Sequence, residues 1–248
     1  MSAIYILWLR ELKRYSRSRA QIVASLGQPL LYLLALGFGL GPVFEKAGQG
    51  SYLQFVAPGV IGMSVLFSSI FSGIGLLWDR QFGFLKETMV APVPRLGLMI
   101  GRTLGGASVA LIQGFLVLII TLIVGFRPES WAMLAPAVLV MGLVATMFTA
   151  FGTAVGATLK DMQGFQLIMN FIIMPIFFLS GALFPLSGLP DVMAWVVKAN
   201  PLAYGIDALR GFLIGASQFG LALDFAVLLG VGAVLMVVGS YFFTRIEV

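Results

Sequence analysis

The sequence predicts an all-α integral membrane protein of six transmembrane helices, and three observations carry that prediction. Sixty per cent of its 248 residues are hydrophobic and only 10% are charged, where a soluble domain carries about a quarter charged residues. Its apolar residues fall into six continuous runs of roughly the ~20 residues a bilayer crossing needs. The mean hydropathy of +1.03 leaves little chain for a soluble domain, so residues 1–248 read as one membrane domain. Because the runs are continuous and do not alternate residue by residue, an outer-membrane barrel is excluded.

The first segment, Ile4 to Arg19, places Arg10, Lys13, Arg14 and Arg17 on one side of a helical wheel and Ile4, Leu7, Trp8, Leu12 and Tyr15 on the other. That pattern predicts a helix over about 1–20 lying in the membrane surface, its cations facing water and lipid phosphates. Glu11 falls inside the apolar arc. Two readings stand for it: a partner among the cations of residues 79–95, or a carboxylate snorkelling to water. The charged region is too long for a signal peptide, and no A-x-A site follows the apolar run from Ile22.

Spans are expected at 22–40, 56–78, 98–125, 133–159, 165–184 and 221–243. Between the last two, residues 186–220 are broken by Pro190, Asp191, Lys198, Pro201, Asp207 and Arg210, yet are too apolar for a free loop. Short helices dipping into the membrane from one side satisfy both facts, provided their backbone packs on protein. With the amino terminus inside, Arg10, Lys13, Arg14, Arg17, Arg19, Arg80, Lys86, Arg95, Arg102, Lys160 and Arg245 all lie on the inner side. Only Lys46, Arg127, Lys198 and Arg210 lie outside, so the positive-inside rule puts both termini in the cytoplasm. The net charge of +5 therefore reports topology and does not call for nucleic acid.

Small residues pair at small-xxx-small spacing at Gly101 and Gly105, Gly152 and Gly156, and Gly211 and Gly215, which predicts close helix crossings. The polar residues singled out inside spans are Gln113, Thr146, Thr149, Thr153, Gln166 and Asn170. Gln166 and Asn170 stand one turn apart, and either line a passage or hydrogen-bond to neighbouring helices. Asp207 and Arg210, at i and i+3, are expected to form a local ion pair.

Chemistry is sparse. Cys and His are both absent, which removes disulfides, thiolate nucleophiles, imidazole bases and the commonest zinc ligands. No G-x-x-x-x-G-K-[ST], G-x-S-x-G or H-E-x-x-H occurs. No catalytic, cofactor or metal site is expected in this chain, nor is an internal repeat visible.

The most charged stretch, Asp79 to Arg95, lies between two spans and so must reach water. Phe82, Leu85 and Met89 recur at helical spacing, Lys86 and Glu87 turn elsewhere, and Pro92 and Pro94 end the pattern. An amphipathic helix there has the shape to dock into a groove on another protein; the bland alternative is an ordinary polar loop.

Two blocks of residues then point to a family. The first runs Asp79-Arg80-Gln81-Phe82-Gly83-Phe84-Leu85-Lys86-Glu87 and ends in Ala91-Pro92-Val93-Pro94-Arg95. The second holds Gly181-Ala182-Leu183-Phe184-Pro185-Leu186, Leu189-Pro190, Asn200-Pro201-Leu202-Ala203-Tyr204 and Asp207-Ala208-Leu209-Arg210. In order and spacing, within six spans, they resemble the type-2 ABC transporter permeases, a class with drug-resistance, lipo-oligosaccharide and O-antigen exporters. The resemblance implies two copies of this permease joined to two cytoplasmic ATPase subunits, which hold the ATP and Mg, in a bacterial inner membrane. It implies a coupling helix at Arg80 to Ala91, with Arg80, Phe82, Leu85, Lys86, Glu87 and Met89 seated in the ATPase. It also implies an interfacial helix whose Arg10, Glu11 and Arg14 lie along the inner leaflet and touch the ATPase. Re-entrant helices would cap the exit between Leu186 and Gly215. The second and fifth spans would wall the passage, making Gln166, Asn170, Phe171, Phe177 and Phe178 candidate lining residues. The family's function is ATP-driven export of an amphipathic, lipid-linked or hydrophobic substrate, or of a polysaccharide.

Two other classes compete. An intramembrane lipid transferase needs clustered carboxylates or His at the membrane face, and here ten acids are scattered singly. A non-transporting partner of an ATPase would need the same docking loop but no passage.

Overall fold

The computed structural model describes residues 3–46, 50–82, 95–159, 161–186, 188 and 190–244. Among those residues the secondary structure is helical, joined by turns and short irregular segments, without a strand. The helices are α1 (Ala3–Arg17), α2 (Arg19–Gly39), α3 (Gly41–Lys46), α4 (Tyr52–Gln81) and α5 (Arg95–Val124). After a 3₁₀ turn, Trp131–Met133, come α6 (Leu134–Thr158), α7 (Met162–Ile168), a π-helical turn (Met169–Ile173) and α8 (Met174–Phe178). The chain ends with α9 (Asp191–Ala199), α10 (Pro201–Ile214) and α11 (Leu221–Thr244).

Five stretches are long and apolar enough to cross a membrane: Arg19–Gly39, Tyr52–Asp79, Arg95–Val124, Trp131–Thr158 and Leu221–Phe242. They match five of the six expected spans to within a turn. The sixth, expected over 165–184, is shorter: the apolar helix runs Met162–Phe178 and breaks its α geometry at the π turn. Pro175 enters at the start of α8, where a missing N–H removes a bond from the ladder. The chain then leaves the helix at Leu179 and turns at Gly181, whose φ of +76° suits glycine.

α4 is the centre of the bundle, packed by α2, α5, α6 and α10, while α6 is sandwiched between α4 and α11. In lipid the hydrophobic effect does little to hold helices together, so close backbone approach must supply the attraction. Glycines provide it. A methyl group at Gly152 on α6 would sit 2.8 Å from the Ile70 carbonyl oxygen of α4, and one at Gly156 would sit 2.5 Å from that of Gly73. The Gly152/Gly156 pair is thus a helix crossing, as its spacing predicts. Gly101 and Gly105 form another: a methyl at Gly101 would lie 3.0 Å from Ile4 Cα, and one at Gly105 2.8 Å from Glu11 Cβ, so α5 offers a smooth bed on which α1 rests. Gly211 and Gly215 differ. Gly215 is the left-handed cap of α10, with φ of +66°, and its pair makes a helix end in place of a crossing.

At the far end of the bundle the 186–220 region forms two short helices on the protein. Asn200 caps α10, accepting from Leu202 N at 3.0 Å while donating to the Ile176 carbonyl at 2.6 Å. Asp207 and Arg210 do not form the ion pair their spacing suggests. Asp207 accepts from Ser217 Oγ and the Gln218 and Phe219 amides, all at 2.9 Å, because the loop before α11 offers it unpaired donors. Arg210 instead donates to the Gly181 carbonyl at 2.6 Å and covers the Phe55 ring, 3.9 Å from its centre.

Because the α4–α6 crossing has no room for a side chain, Gly152→Leu is expected to lower the melting midpoint by about 5 °C in detergent, from overpacking of about 2 kcal/mol. Gly142→Leu, on the same helix with no atom within 4 Å of an added methyl, serves as the control. Equal midpoints for the two variants would show that the crossing does not hold the fold.

Candidate functional site

At the end of the bundle where α1 lies, charged side chains from three helices converge. α1 is long enough for four turns, and its buried row of Leu7, Glu11 and Tyr15, at i, i+4 and i+8, faces α5. Trp8 fixes the register by donating from Nε1 to Ser108 Oγ at 3.0 Å. Arg10 then reaches Asp79, in the last turns of α4, at 2.8 Å. The same Asp79 Oδ2 is met by Arg102, which α5 presents from two turns inside its start. Glu11 is held by its own helix, 2.8 Å from Arg14 and 3.3 Å from Arg10.

Of the two sequence readings for Glu11, snorkelling does not hold, since it is only 8% exposed. Among the described residues its ion-pair partners are Arg10 and Arg14 of α1. The link to the 79–95 stretch is made by Arg10, through Asp79. Burial by itself would lower the Arg10 pKa, but Asp79 and then Glu11 hold it above the usual guanidinium value. Arg102 is 6% exposed and Asp79 is its ion-pair partner. A charge so placed must be matched, since a guanidinium cannot shed its proton to escape burial.

This network stands at the base of the docking stretch. Asp79 and Arg102 flank residues 83–94 on the two helices that lead into and out of it, so the chain between them springs from a paired, cross-linked foundation. Of the coupling residues expected from sequence, Leu85, Lys86, Glu87 and Met89 lie outside the described residues, and so does the Arg80 side chain. Phe82 follows the end of α4, donating its amide to the Trp78 carbonyl at 2.9 Å, and is 72% exposed.

The candidate lining residues all fall on the broken helix. Gln166 of α7 and Asn170 and Phe171 of the π turn are exposed, as is Phe178 at the end of α8. Phe177 is buried, with its ring against Tyr32 and Phe67 at centroid distances of 6.3 and 5.8 Å. Two residues central to the site, Asp79 and Arg102, were not among the candidate site residues. Arg102 carried a signal: an arginine within an expected span is a default indicator of a partner and a role.

The ABC-2 type transporter family model matches residues 2–214, which include α1, the charged network and α10. The chain belongs to that family. Among its relatives, Nodulation protein J of Rhizobium leguminosarum bv. trifolii is 30% identical over 213 residues, covering 85% of this chain and 78% of the relative. The inner membrane transport permease YadH of Escherichia coli strain K12 is 29% identical over 229 residues, covering 91% of this chain and 88% of the relative. Nodulation protein J of Sinorhizobium fredii is 28% identical over 225 residues, or 90% of this chain. Membership in the ABC-2 permeases implies partnership with an ABC ATPase. Asp79 of the network is the first residue of the stretch that resembles the family's ATPase contact.

Removing the carboxylate from the network leaves Arg102 buried and unpaired. Asp79→Asn is expected to cost about 3 kcal/mol, whereas Asp79→Asn with Arg102→Met recovers most of that loss because no buried charge is left. Unfolding by titrated denaturing detergent measures both; a double variant no more stable than the single one would refute the pairing.

Proposed function

We propose that this chain is the membrane subunit of an ATP-driven exporter that moves an amphipathic, lipid-linked or hydrophobic substrate across the inner membrane. Two copies join two ATPase subunits, which bind ATP and Mg; the chain itself contributes no nucleotide site. Both termini and the 79–95 stretch face the cytoplasm, following the cation distribution. Residues 162–184 complete a sixth crossing, with π geometry and Pro175 shortening it, and α9 and α10 dip into the membrane from the outer side.

The observation that carries this reading is the Asp79 network. Closure of an ATPase can move the spans only through contacts that differ between its states. Arg10, Asp79 and Arg102 tie α1, α4 and α5 together at the point where the coupling stretch begins. A push on that stretch is delivered to three helices as one body. The exposed face of Gln166, Asn170 and Phe171 supports a wall of the passage: polar amides facing hydrocarbon would be costly, but facing a second copy or a substrate they are satisfied.

A second reading within transport, a polysaccharide exporter, is favoured by the exposed Phe171 and Phe178 rings, which offer stacking faces to sugars along that wall.

With the complex reconstituted in vesicles, Phe82→Asp and Glu87→Arg are each expected to cut substrate transport at least ten-fold. Membrane insertion should be normal and ATP hydrolysis detached from transport. Normal export by either variant, with ATPase capture unchanged, would refute coupling through this stretch. Stimulation of ATP hydrolysis by a panel of lipids, glycolipids and hydrophobic drugs assigns the substrate class.

A further inference from the structure

A cavity of about 360 Å³ lies within the single chain, between α1, α2, α4 and α5, just above the charged network. That volume is in the range of small-molecule sites, ~300–1,000 Å³. Its lining is unusual for a membrane helix bundle. α4 contributes two parallel rows at i, i+4 spacing, the hydroxyls of Ser64, Ser68 and Ser72 and the rings of Phe67 and Phe71. The serine row climbs roughly 12 Å along the helix, at 1.5 Å per residue. Facing it are amide side chains, Gln28 of α2 and Gln113 of α5, the latter tying the two helices together through the Ser25 carbonyl at 3.1 Å.

Three features define what would fit. Ser64 is 2% exposed, and its hydroxyl finds no partner in the protein although it lines the cavity, so a donor or acceptor is owed to it. Glu11 and Arg14, the charged residues of the lining, pair with each other at 2.8 Å, so the lining carries no net charge to attract an anion or a cation. Hydroxyls and aromatic rings lie side by side on the α4 wall with the amides on α2 and α5, which suits a molecule with polar edges and an apolar face. Phe71, about half exposed, sits where the cavity meets the bundle surface.

We propose that this cavity binds the uncharged, hydroxyl-rich headgroup of an amphipathic substrate, a sugar ring lying between the serine row and the Gln28 and Gln113 amides. Its hydrocarbon chain leaves past Phe71 into lipid. The assignment rests on the export reading and narrows it to substrates with a neutral sugar at the headgroup.

The test uses the full-length permease in phosphatidylcholine nanodiscs, prepared without glycoside detergent, and a diazirine-tagged dodecyl maltoside. Photolabelling is expected on α2 and α4 peptides that line the cavity, displaced by untagged dodecyl maltoside but not by dodecylphosphocholine. Ser64→Ala with Ser68→Ala should lower it roughly ten-fold, the loss of two neutral hydrogen bonds. Phe71→Leu, at a half-exposed position where folding is not at stake, should lower it several-fold. Equal displacement by dodecylphosphocholine, or labelling unchanged in both variants, overturns the proposal. Displacement by free maltose at the same concentration overturns its membrane-borne part and makes a soluble sugar the ligand. No ATPase is needed for this binding, so the two readings fail separately: labelling retained without ATP-driven export breaks only the export reading, and export without labelling breaks only this site.

Discussion

The arrangement of this end of the molecule depends on one carboxylate shared by two guanidiniums. Asp79 accepts from Arg10 of α1 and from Arg102 of α5, so one carboxylate of α4 holds two other helices. Arg102 is buried and permanently charged, so the fold must bring it a carboxylate or pay several kcal/mol for its desolvation. Such a pair adds little net stability over apolar residues of the same size. What it adds is selectivity, because only one placement of α1 and α4 satisfies it.

Glycine makes that placement sterically possible. The α1 helix lies against Gly101 and Gly105 of α5, and α4 crosses α6 at Gly73, Gly152 and Gly156. Helix pairs in lipid gain from dispersion and interhelical hydrogen bonds and little from apolar burial, so every tenth of a nanometre of approach counts. The same glycines set the reach of the charged side chains. A bulkier residue at Gly105 would meet Glu11 and lift α1 away, carrying Arg10 off Asp79. Packing and electrostatics here are two views of one constraint.

Where the sequence is legible, a local period is the reason. Five stretches long and apolar enough to cross a membrane, the helix at Ala3–Arg17 and two glycine crossings follow from spacing within one segment. The broken helix 162–178 is harder, since a π turn leaves the apolar composition of Met169 to Ile173 unchanged and only Pro175 hints at the interruption. The ion pair expected of Asp207 and Arg210 loses to partners from other segments, Gly181 and the Ser217 to Phe219 loop, which no spacing rule reveals. Asp79 and Arg102 are 23 residues apart in the chain, with the docking stretch between them. The serine row escaped notice for a different reason. A serine in a membrane helix can return its hydroxyl to its own backbone, as Ser72 does to the Ser69 carbonyl at 2.7 Å, so Ser64 is conspicuous only once its surroundings are known to be a cavity.

The bundle is clasped by charge at both ends and more loosely held between. At one end Asp79 joins α1, α4 and α5; at the other Arg210 binds the Gly181 turn and packs on Phe55 at the start of α4, while Tyr52 donates to the Leu183 carbonyl at 2.6 Å. α4 runs through both clasps, so one helix, with Pro58 inside it, joins the two ends of the bundle. The 162–178 helix is built differently, with few close packing partners, an exposed face and a π turn that already departs from ideal geometry. Bends in a helix concentrate at π turns and prolines. A bend in that helix therefore falls on the turn that carries the exposed Asn170 and Phe171.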